Sequence, residues 1–150
     1  MLDEAIALIS QRKDLTREQA ASAMRILMSG LASPAQVSAL LMGLRVKGET
    51  IEEITGFAQV MREMAIPVAP KRRPLIDIVG TGGDHCGSFN ISTSSAFVVA
   101  GAGMAVAKHG NRSATSKCGS ADVLEALGVN IDAAPKQAAR CIDEAGIGFL

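Results

Sequence analysis

A glycine-rich segment at residues 80–93 combines residue types that bind anions. Its glycines permit backbone angles and a close approach to a ligand that a side chain would forbid. Asn90, Ser92 and Thr93 are placed to begin a helix, where unpaired N–H groups favour an anion. The hydroxyl oxygens are also suitable ligands for a hard metal ion. This segment therefore predicts a phosphate site, although a tight strand-to-helix turn explains the glycines alone equally well.

Two known phosphate-binding motifs do not fit this segment. A dinucleotide fingerprint read from Gly80 requires glycine at position 85, where the chain has His85. A Walker A loop requires a terminal Gly-Lys-Ser/Thr, which does not follow.

A second polar segment, at residues 108–120, supplies positive charge and hydroxyl groups. Arginine offers a planar fork that suits phosphate oxygens, and lysine offers a mobile point charge. The two segments follow neighbouring predicted strands, so we expect them to converge around a ligand with more than one phosphate group. We also expect Ser120 to cap a helix. The cations are Lys108, Arg112 and Lys117, and the hydroxyls are those of Ser113, Thr115, Ser116 and Ser120.

The residues do not indicate a covalent catalyst. His85 and His109 lie near Cys86 and Cys118, but no acidic residue is placed to orient a histidine beside a thiol nucleophile. Asp77 lies within an apolar strand pattern, and we interpret it as a structural hydrogen-bond acceptor.

The elements that carry these segments form two regions. Residues 1–66 predict a helical domain, residues 67–74 (PVAPKRRP) a linker or hinge, and residues 75–150 an α/β domain with a parallel sheet. Strands are expected at 75–79, 104–107 and from 147, with helices near 93–101, 120–127 and 135–145. The predicted class is thus an all-α N-terminal domain followed by an incomplete parallel-sheet α/β domain.

Three capping boxes define the helical domain. They begin at Thr16, Ser33 and Thr50, each with Gln or Glu three residues later. The helix that begins after the third capping box, at Thr50, is predicted to bury one apolar face. Two glycines inside helices predict close helix–helix packing. That face comprises Ile54, Phe57, Ala58 and Met61, and the glycines are Gly43 and Gly56.

Composition excludes several classes of protein. Of 150 residues, 48% are hydrophobic, and 15 basic residues balance 15 acidic ones, so a broad nucleic-acid or membrane surface is not expected. Aromatic residues make up 3%, too few for a base-stacking platform. Three separated cysteines form no zinc or disulfide pattern, and the start lacks the features of a signal peptide. We therefore expect a cytoplasmic protein that binds neither nucleic acid nor membranes.

The final strand pattern has no following element. Three short strands do not close a sheet, so we expect the chain to be the front part of a longer protein or one completed by a partner chain.

The ordered motifs of the chain resemble the anthranilate phosphoribosyltransferase family. The matching segments are GTGGD at 80–84, FNIST at 89–93, KHGNRS at 108–113 and CGSADVLEALGVNI at 118–131. The helical domain matches as well, so the resemblance covers essentially the whole chain.

This resemblance implies transfer of a phosphoribosyl group from phosphoribosyl pyrophosphate to anthranilate in tryptophan biosynthesis, with Mg²⁺ required. It implies that Ser92 is a magnesium ligand, that Gly80 and Asn111 face anthranilate, and that a homodimer forms through the helical domain. The residues it assigns to phosphoribosyl pyrophosphate are Gly80, Gly83, Asp84, Ser88, Asn90, Ile91, Ser92, Thr93, Lys108, His109, Gly110, Asn111, Arg112, Ser113, Ala114, Thr115, Ser116 and Ser120.

The sequence departs from the family pattern at several positions, and other functions remain compatible with it. His85-Cys86 and Cys118 replace smaller residues of the family, and its acidic magnesium pair lies beyond Leu150, so we expect the 150-residue chain to be poorly active. The alternatives are a pyrimidine nucleoside phosphorylase-like enzyme, a nucleic-acid-binding member of the superfamily and a non-catalytic helical dimerisation module.

Overall fold

The computed structural model describes residues 1–80, 89–113 and 118–150. The chain divides into two compact units, Met1–Ala65 and Ile66–Leu150. The first unit is helical, and the second combines helices with a sheet, as the sequence predicts. The elements of the first are α1 (Leu2–Ser10), α2 (Arg17–Met28), α3 (Pro34–Lys47) and α4 (Ile51–Met64). Those described in the second are β1 (Leu75–Ile76), α5 (Ile91–Gly101), β2 (Ala105–Lys108), α6 (Ser120–Ala126), α7 (Pro135–Ala145) and β3 (Ile147–Phe149).

The three predicted capping boxes are confirmed. The hydroxyls of Thr16, Ser33 and Thr50 each accept a hydrogen bond from the backbone N–H three residues later. The side chain of that third residue accepts in return from the N–H of the capping residue. Each pair satisfies two N–H groups that would otherwise lack helical partners.

The predicted buried face of α4 is correct for Phe57, which packs against the core, but is otherwise displaced by about one position. The buried residues are Glu53, Gly56 and Val60, whereas Ile54 and Met61 are 55% and 50% exposed. Two contacts explain the difference. The carboxylate of Glu53 binds groups in the interior, and Gly56 lies directly against α2.

The two helical glycines are required by close packing, as predicted. A Cβ atom on Gly56 would overlap the carbonyl oxygen of Arg17 at the start of α2. A Cβ atom on Gly43 would lie 2.6 Å from Cγ2 of Ile9 in α1. Both positions are closer than van der Waals contact allows, so glycine sets how closely each helix pair approaches.

A buried carboxylate joins three segments of the helical unit. Glu53 is fully buried and accepts hydrogen bonds from the N–H groups of Leu15 (2.9 Å) and Thr50 (2.8 Å) and from Nζ of Lys47 (3.0 Å). Lys47 also donates to Asp14 at 2.8 Å. Burial raises the pKa of Glu53, but these hydrogen bonds outweigh burial, and the pKa is lowered. The carboxylate therefore stabilises the fold above its unfolded pKa, and this stabilisation is lost as pH falls through the folded pKa.

The second unit contains a parallel sheet with the order β1-β2-β3. Leu75 pairs with Ala105, and Val106 pairs with Ile147. Strand β1 is shorter than predicted, because the side chain of Asp77, directly after the strand, accepts a hydrogen bond from the N–H of His109 at 3.1 Å. The buried core of this unit comprises Ala96, Ala105, Val106, Ala121, Leu124, Ala138 and Ile142.

The start of the second unit is hydrogen-bonded to α7. The N–H groups of Lys71 and Arg72 donate to Oδ1 of Asp143 at 2.8 and 3.0 Å. The guanidinium of Arg72 also donates to the carbonyl oxygen of Gly103 at 3.0 Å.

Among the described residues, helices that are both long and apolar enough to span a membrane are absent.

We predict that Glu53→Ala lowers the free energy of unfolding by about 3 kcal/mol, because it leaves the N–H groups of Leu15 and Thr50 without their acceptor and removes one of the acidic partners of the Lys47 ammonium. Urea unfolding followed by circular dichroism measures this change. The matched control is Glu49→Ala, at an exposed position, for which we expect a change of at most about 0.5 kcal/mol. Equal effects of the two variants would contradict a structural role for the buried carboxylate.

Candidate anion-binding site at the strand ends

The residues that follow β1 and β2 contact each other, and the start of α5 contacts the second polar segment. The bond from the His109 N–H to Asp77 joins the residues that directly follow the paired strands. Nδ2 of Asn90 donates to the carbonyl oxygen of Gly119 at 3.0 Å, so the start of α5 also contacts the second segment. The predicted convergence is therefore confirmed for the described residues, and Asp77 is the structural acceptor that the sequence indicates.

Several predicted site residues lie outside the described residues. These are Gly83, Asp84, Ser88, Ala114, Thr115 and Ser116, together with Lys117, His85 and Cys86.

The first turn of α5 presents backbone N–H groups beside the second segment. Asn90 is the N-cap, but its side chain binds Gly119 and makes no capping hydrogen bond. Ile91 is exposed and Ser92 is half-buried. The side chain of Thr93 does not face solvent. It is 3% exposed, and its hydroxyl has no hydrogen-bond partner among the described residues.

Lys108 ends β2 and is almost completely buried. It is 2% exposed, and its Nζ donates to the carbonyl oxygen of His109 at 2.7 Å. Burial lowers the pKa of Lys108, and the negative charge of Asp77 offsets only part of this effect. With Thr93, Lys108 lines a largely apolar cavity of about 150 Å³.

Arg112 is paired with two carboxylates of α6. Its guanidinium donates to both carboxylate oxygens of Glu125, at 2.7 and 2.9 Å, and to Oδ1 of Asp122 at 3.3 Å. Hydrogen bonds to Glu125 are the main reason that the pKa of Arg112 is raised above its ordinary value. Sequence analysis identified Arg112 as a site residue but did not identify its two acidic partners. The only sign of them in the sequence was the spacing of Asp122 and Glu125, three residues apart in α6.

Asp122 fixes the backbone on both sides of residues 114–117. Its Oδ2 accepts from the N–H of Ser113 at 2.9 Å and from the N–H of Gly119 at 2.8 Å. These backbone hydrogen bonds are the main cause of the lowered pKa of Asp122. One carboxylate oxygen thus holds two positions that are six residues apart in sequence.

The expectation that Ser120 caps α6 is wrong. Gly119 is the N-cap, and Ser120 is the first helical residue. The reason is that Asp122 accepts from the Gly119 N–H, so the helix begins one residue earlier than a Ser120 cap would place it. Oγ of Ser120 instead lies 3.4 Å from the carbonyl oxygen of Asn111, to which it donates.

Two glycines allow the second segment to pack against α6. A Cβ atom on Gly119 would lie 2.5 Å from the carbonyl oxygen of Asn111 and 2.5 Å from the nitrogen of Ser113. A Cβ atom on Gly110 would overlap Oγ of Ser120. His109 and Asn111 are exposed beside them, and Gly110 is half-buried.

Metal ligands of the nitrogen, sulfur or carboxylate type are not clustered in residues 1–80, 89–113 and 118–150. Groups of three or more histidine, cysteine, aspartate or glutamate side chains able to hold a metal ion are absent from these ranges. The hydroxyl of Ser92 is an oxygen donor of the kind Mg²⁺ accepts when water and substrate phosphates complete its ligands.

Comparison with known families agrees with this architecture. The model of the glycosyl transferase family a/b domain matches residues 72–150, and that of the helical bundle domain of the same family matches residues 3–65. The chain belongs to the glycosyl transferase family. Its two structural units correspond closely to these two family domains.

Individual members of the family that resemble the chain carry one name. It is 62% identical over 142 residues to anthranilate phosphoribosyltransferase of Symbiobacterium thermophilum, covering 95% of the chain and 42% of that relative. It is 56% identical to the Persephonella marina protein of this name, covering 100% of the chain and 44% of that relative. The chain thus spans less than half the length of these curated relatives.

Solved structures of the same name share the fold. The enzyme from Thermus thermophilus superposes with a TM-score of 0.81 at 49% identity, covering 97% of this chain and 44% of that one. The enzyme from Saccharomyces cerevisiae, solved in complex with phosphoribosyl pyrophosphate and Mg, superposes with a TM-score of 0.80 at 25% identity, covering 99% and 46%.

We predict that Gly119→Ala destabilises the second unit by about 2 kcal/mol, because the added methyl group overlaps the backbone of Asn111 and Ser113. Thermal unfolding measures the loss. Gly101→Ala is the control, since a Cβ atom there meets open space, and it should leave the unfolding temperature unchanged or slightly raised. Unchanged stability of Gly119→Ala would contradict the close packing of this segment on α6.

Proposed function

We propose that the protein transfers a phosphoribosyl group from phosphoribosyl pyrophosphate to the amine of anthranilate and releases pyrophosphate. The observation that carries this proposal is that the start of α5 contacts the second polar segment through Asn90 and Gly119, beside the strand ends that His109 and Asp77 join. The names of the relatives and the ligands of the yeast enzyme support the same reaction. This reaction would place the protein in tryptophan biosynthesis.

The proposed diphosphate site lies between the first turn of α5 and the segment 108–113. The N–H of Ile91 donates to the carbonyl oxygen of Phe89, so the N–H groups of Ser92 and Thr93 are the ones proposed to bind phosphate oxygens. Lys108 and Arg112 supply positive charge, and Asn111 and Gly80 are proposed to face anthranilate. The remaining members of the proposed site are Gly83, Asp84, Ser88, Asn90, Ile91, Ser92, Thr93, His109, Gly110, Ser113, Ala114, Thr115, Ser116 and Ser120.

The chemistry of the transfer suits such a site. A bond forms between the anthranilate nitrogen and C1 of the ribose, the bond from C1 to the pyrophosphate oxygen breaks with its electron pair going to that oxygen, and the amine loses a proton to water. Negative charge grows on the leaving oxygens, so fixed N–H groups and cations lower the barrier by electrostatic stabilisation. The proposed mechanism therefore requires no covalent catalyst.

Mg²⁺ is proposed as the cofactor, with Ser92 as one ligand. The hydroxyl of Ser92 is half-buried in the first turn of α5, next to the N–H groups proposed to bind phosphate. A bound Mg²⁺ would add positive charge at the pyrophosphate and so favour its departure. The side chains of α5 would orient the phosphate groups around it.

We predict that Arg112→Ala weakens binding of phosphoribosyl pyrophosphate with Mg²⁺ by on the order of tenfold, because charge-assisted hydrogen bonds to phosphate are lost. Calorimetric titration measures the affinity. A parallel titration with inorganic phosphate and a pyrimidine nucleoside tests the alternative, a pyrimidine nucleoside phosphorylase-like enzyme. Arg140→Ala is the control, since Arg140 lies in an exposed pair with Glu144 on α7. Equal affinity of Arg112→Ala and the unaltered chain would overturn the assignment.

The helical unit is proposed to form a homodimer. Exposed apolar side chains form a patch on α3 and a stripe on α4, where spacings of three and seven residues place the side chains on one helix face. These residues are Leu41, Met42 and Val46 in α3, and Ile51, Ile54, Met61 and Met64 in α4. Burying this patch and this stripe against a second copy would remove apolar surface from water.

We predict that Ile54→Glu converts the dimer to a monomer, because the carboxylate would be buried without a partner. Light scattering coupled to gel filtration measures the mass. Lys13→Glu, at an exposed position between α1 and α2, should remain dimeric. A monomeric unaltered chain, or a dimeric Ile54→Glu variant, would contradict an interface through α4.

A further inference from the structure

Both terminal nitrogens of the Arg112 guanidinium donate hydrogen bonds to carboxylates before any substrate is considered. Both of its terminal nitrogens donate to the Glu125 carboxylate, at 2.7 and 2.9 Å, in a two-pronged arrangement. One of them also lies 3.3 Å from Asp122. Phosphate groups bind arginine through the same pair of donors. Glu125 and a phosphate would therefore compete for one set of N–H groups.

The two carboxylates of α6 differ in what else they bind. Asp122 also accepts from the backbone N–H groups of Ser113 and Gly119, so its removal would release the backbone of the segment. Among the described residues, the Glu125 carboxylate accepts its two hydrogen bonds from Arg112. Asp122 is thus tied to backbone positions, and Glu125 is tied to the side chain that is proposed to bind the anion.

Charge and exposure favour exchange at Glu125. Arg112 and the two carboxylates together carry a net charge of about −1, which disfavours a second anion unless one carboxylate withdraws. The side chains of Arg112 and Glu125 are 54% and 52% exposed, and water screens an exposed pair strongly. Asp122 is less exposed, at 29%, and is held by its backbone contacts.

We propose that Glu125 is a positioning residue that holds Arg112 in the unliganded protein and is exchanged for a phosphate group when the anionic substrate binds, while Asp122 keeps the segment backbone in place. This inference rests on the proposed function, because it assigns the diphosphate to Arg112. It adds a residue that opposes binding and thereby sets the affinity for the substrate.

The test is calorimetric titration of the chain with inorganic pyrophosphate and Mg²⁺. Glu125→Gln is expected to bind about two- to fivefold more tightly, because Arg112 no longer has to leave an anionic partner. Asp122→Asn is expected to bind on the order of tenfold more weakly, because the segment backbone loses its charged acceptor. A residue with a merely structural role would weaken binding when replaced, so the opposite sign for Glu125→Gln is diagnostic.

Two controls isolate the exchange. Glu144→Gln removes the same charge from the exposed Arg140–Glu144 pair of α7 and should leave the affinity unchanged. In the Arg112→Ala background, Glu125→Gln should change the affinity by less than about 1.5-fold, because the competition requires the arginine. Circular dichroism of each variant establishes that it is folded.

The outcomes separate this inference from the proposed function. Pyrophosphate binding that is unchanged or weakened in Glu125→Gln, in a chain that binds pyrophosphate normally, would overturn the exchange and leave the transferase proposal standing. A gain in affinity that persists in the Arg112→Ala background would also overturn it. Failure of the unaltered chain and of Glu125→Gln to bind pyrophosphate at all would count against both.

Discussion

Parallel pairing of β1 with β2 is the constraint that brings the candidate site together. Neighbouring parallel strands end at the same edge of a sheet, so the segments that follow them must begin side by side. Here the residues after the strands are joined directly by the hydrogen bond from His109 to Asp77. Asn90 extends this connection to Gly119, and the start of α5 therefore lies beside the basic segment. Without this register, the two motifs would have no common edge.

Local electrostatics, rather than overall charge, would produce anion affinity in this chain. Basic and acidic residues balance over the whole sequence. At the strand ends, Lys108 is buried with its pKa lowered, and Arg112 is paired with two carboxylates. Both described cations are therefore already engaged, so binding of a diphosphate would exchange existing contacts rather than fill an open positive surface. Such an exchange lowers affinity but favours ligands that offer several phosphate oxygens at once.

Features that depend on neighbouring residues were predictable from the sequence. The capping boxes at Thr16, Ser33 and Thr50 are complete within four residues, and the structure confirms each of them. The order of strands and helices in the second unit followed from the change in hydrophobic pattern near residue 70. Gly56 is the exception: its role in helix packing was predicted although the contact is with a distant residue, but the sequence did not identify that residue, Arg17.

Features that depend on distant partners were not predictable. The buried face of α4 shifts because Glu53 binds Leu15, 38 residues away, and apolar spacing alone contains no sign of that contact. Arg112 and Glu125 are 13 residues apart and do not lie in the same helix, so helical spacing does not predict their pairing. Thr93 was expected among the donors at the helix start, yet its side chain is buried. Gly83, Asp84 and the other predicted site residues outside the described ranges remain predictions.

A crystal structure of the chain with phosphoribosyl pyrophosphate and Mg²⁺ would show directly whether the two segments hold the diphosphate. We expect electron density for the diphosphate between the first turn of α5 and residues 108–113, with Arg112 turned from Glu125 toward a phosphate group. A diphosphate bound at any other surface of the second unit, with the Arg112–Glu125 pair intact, would refute the proposed site.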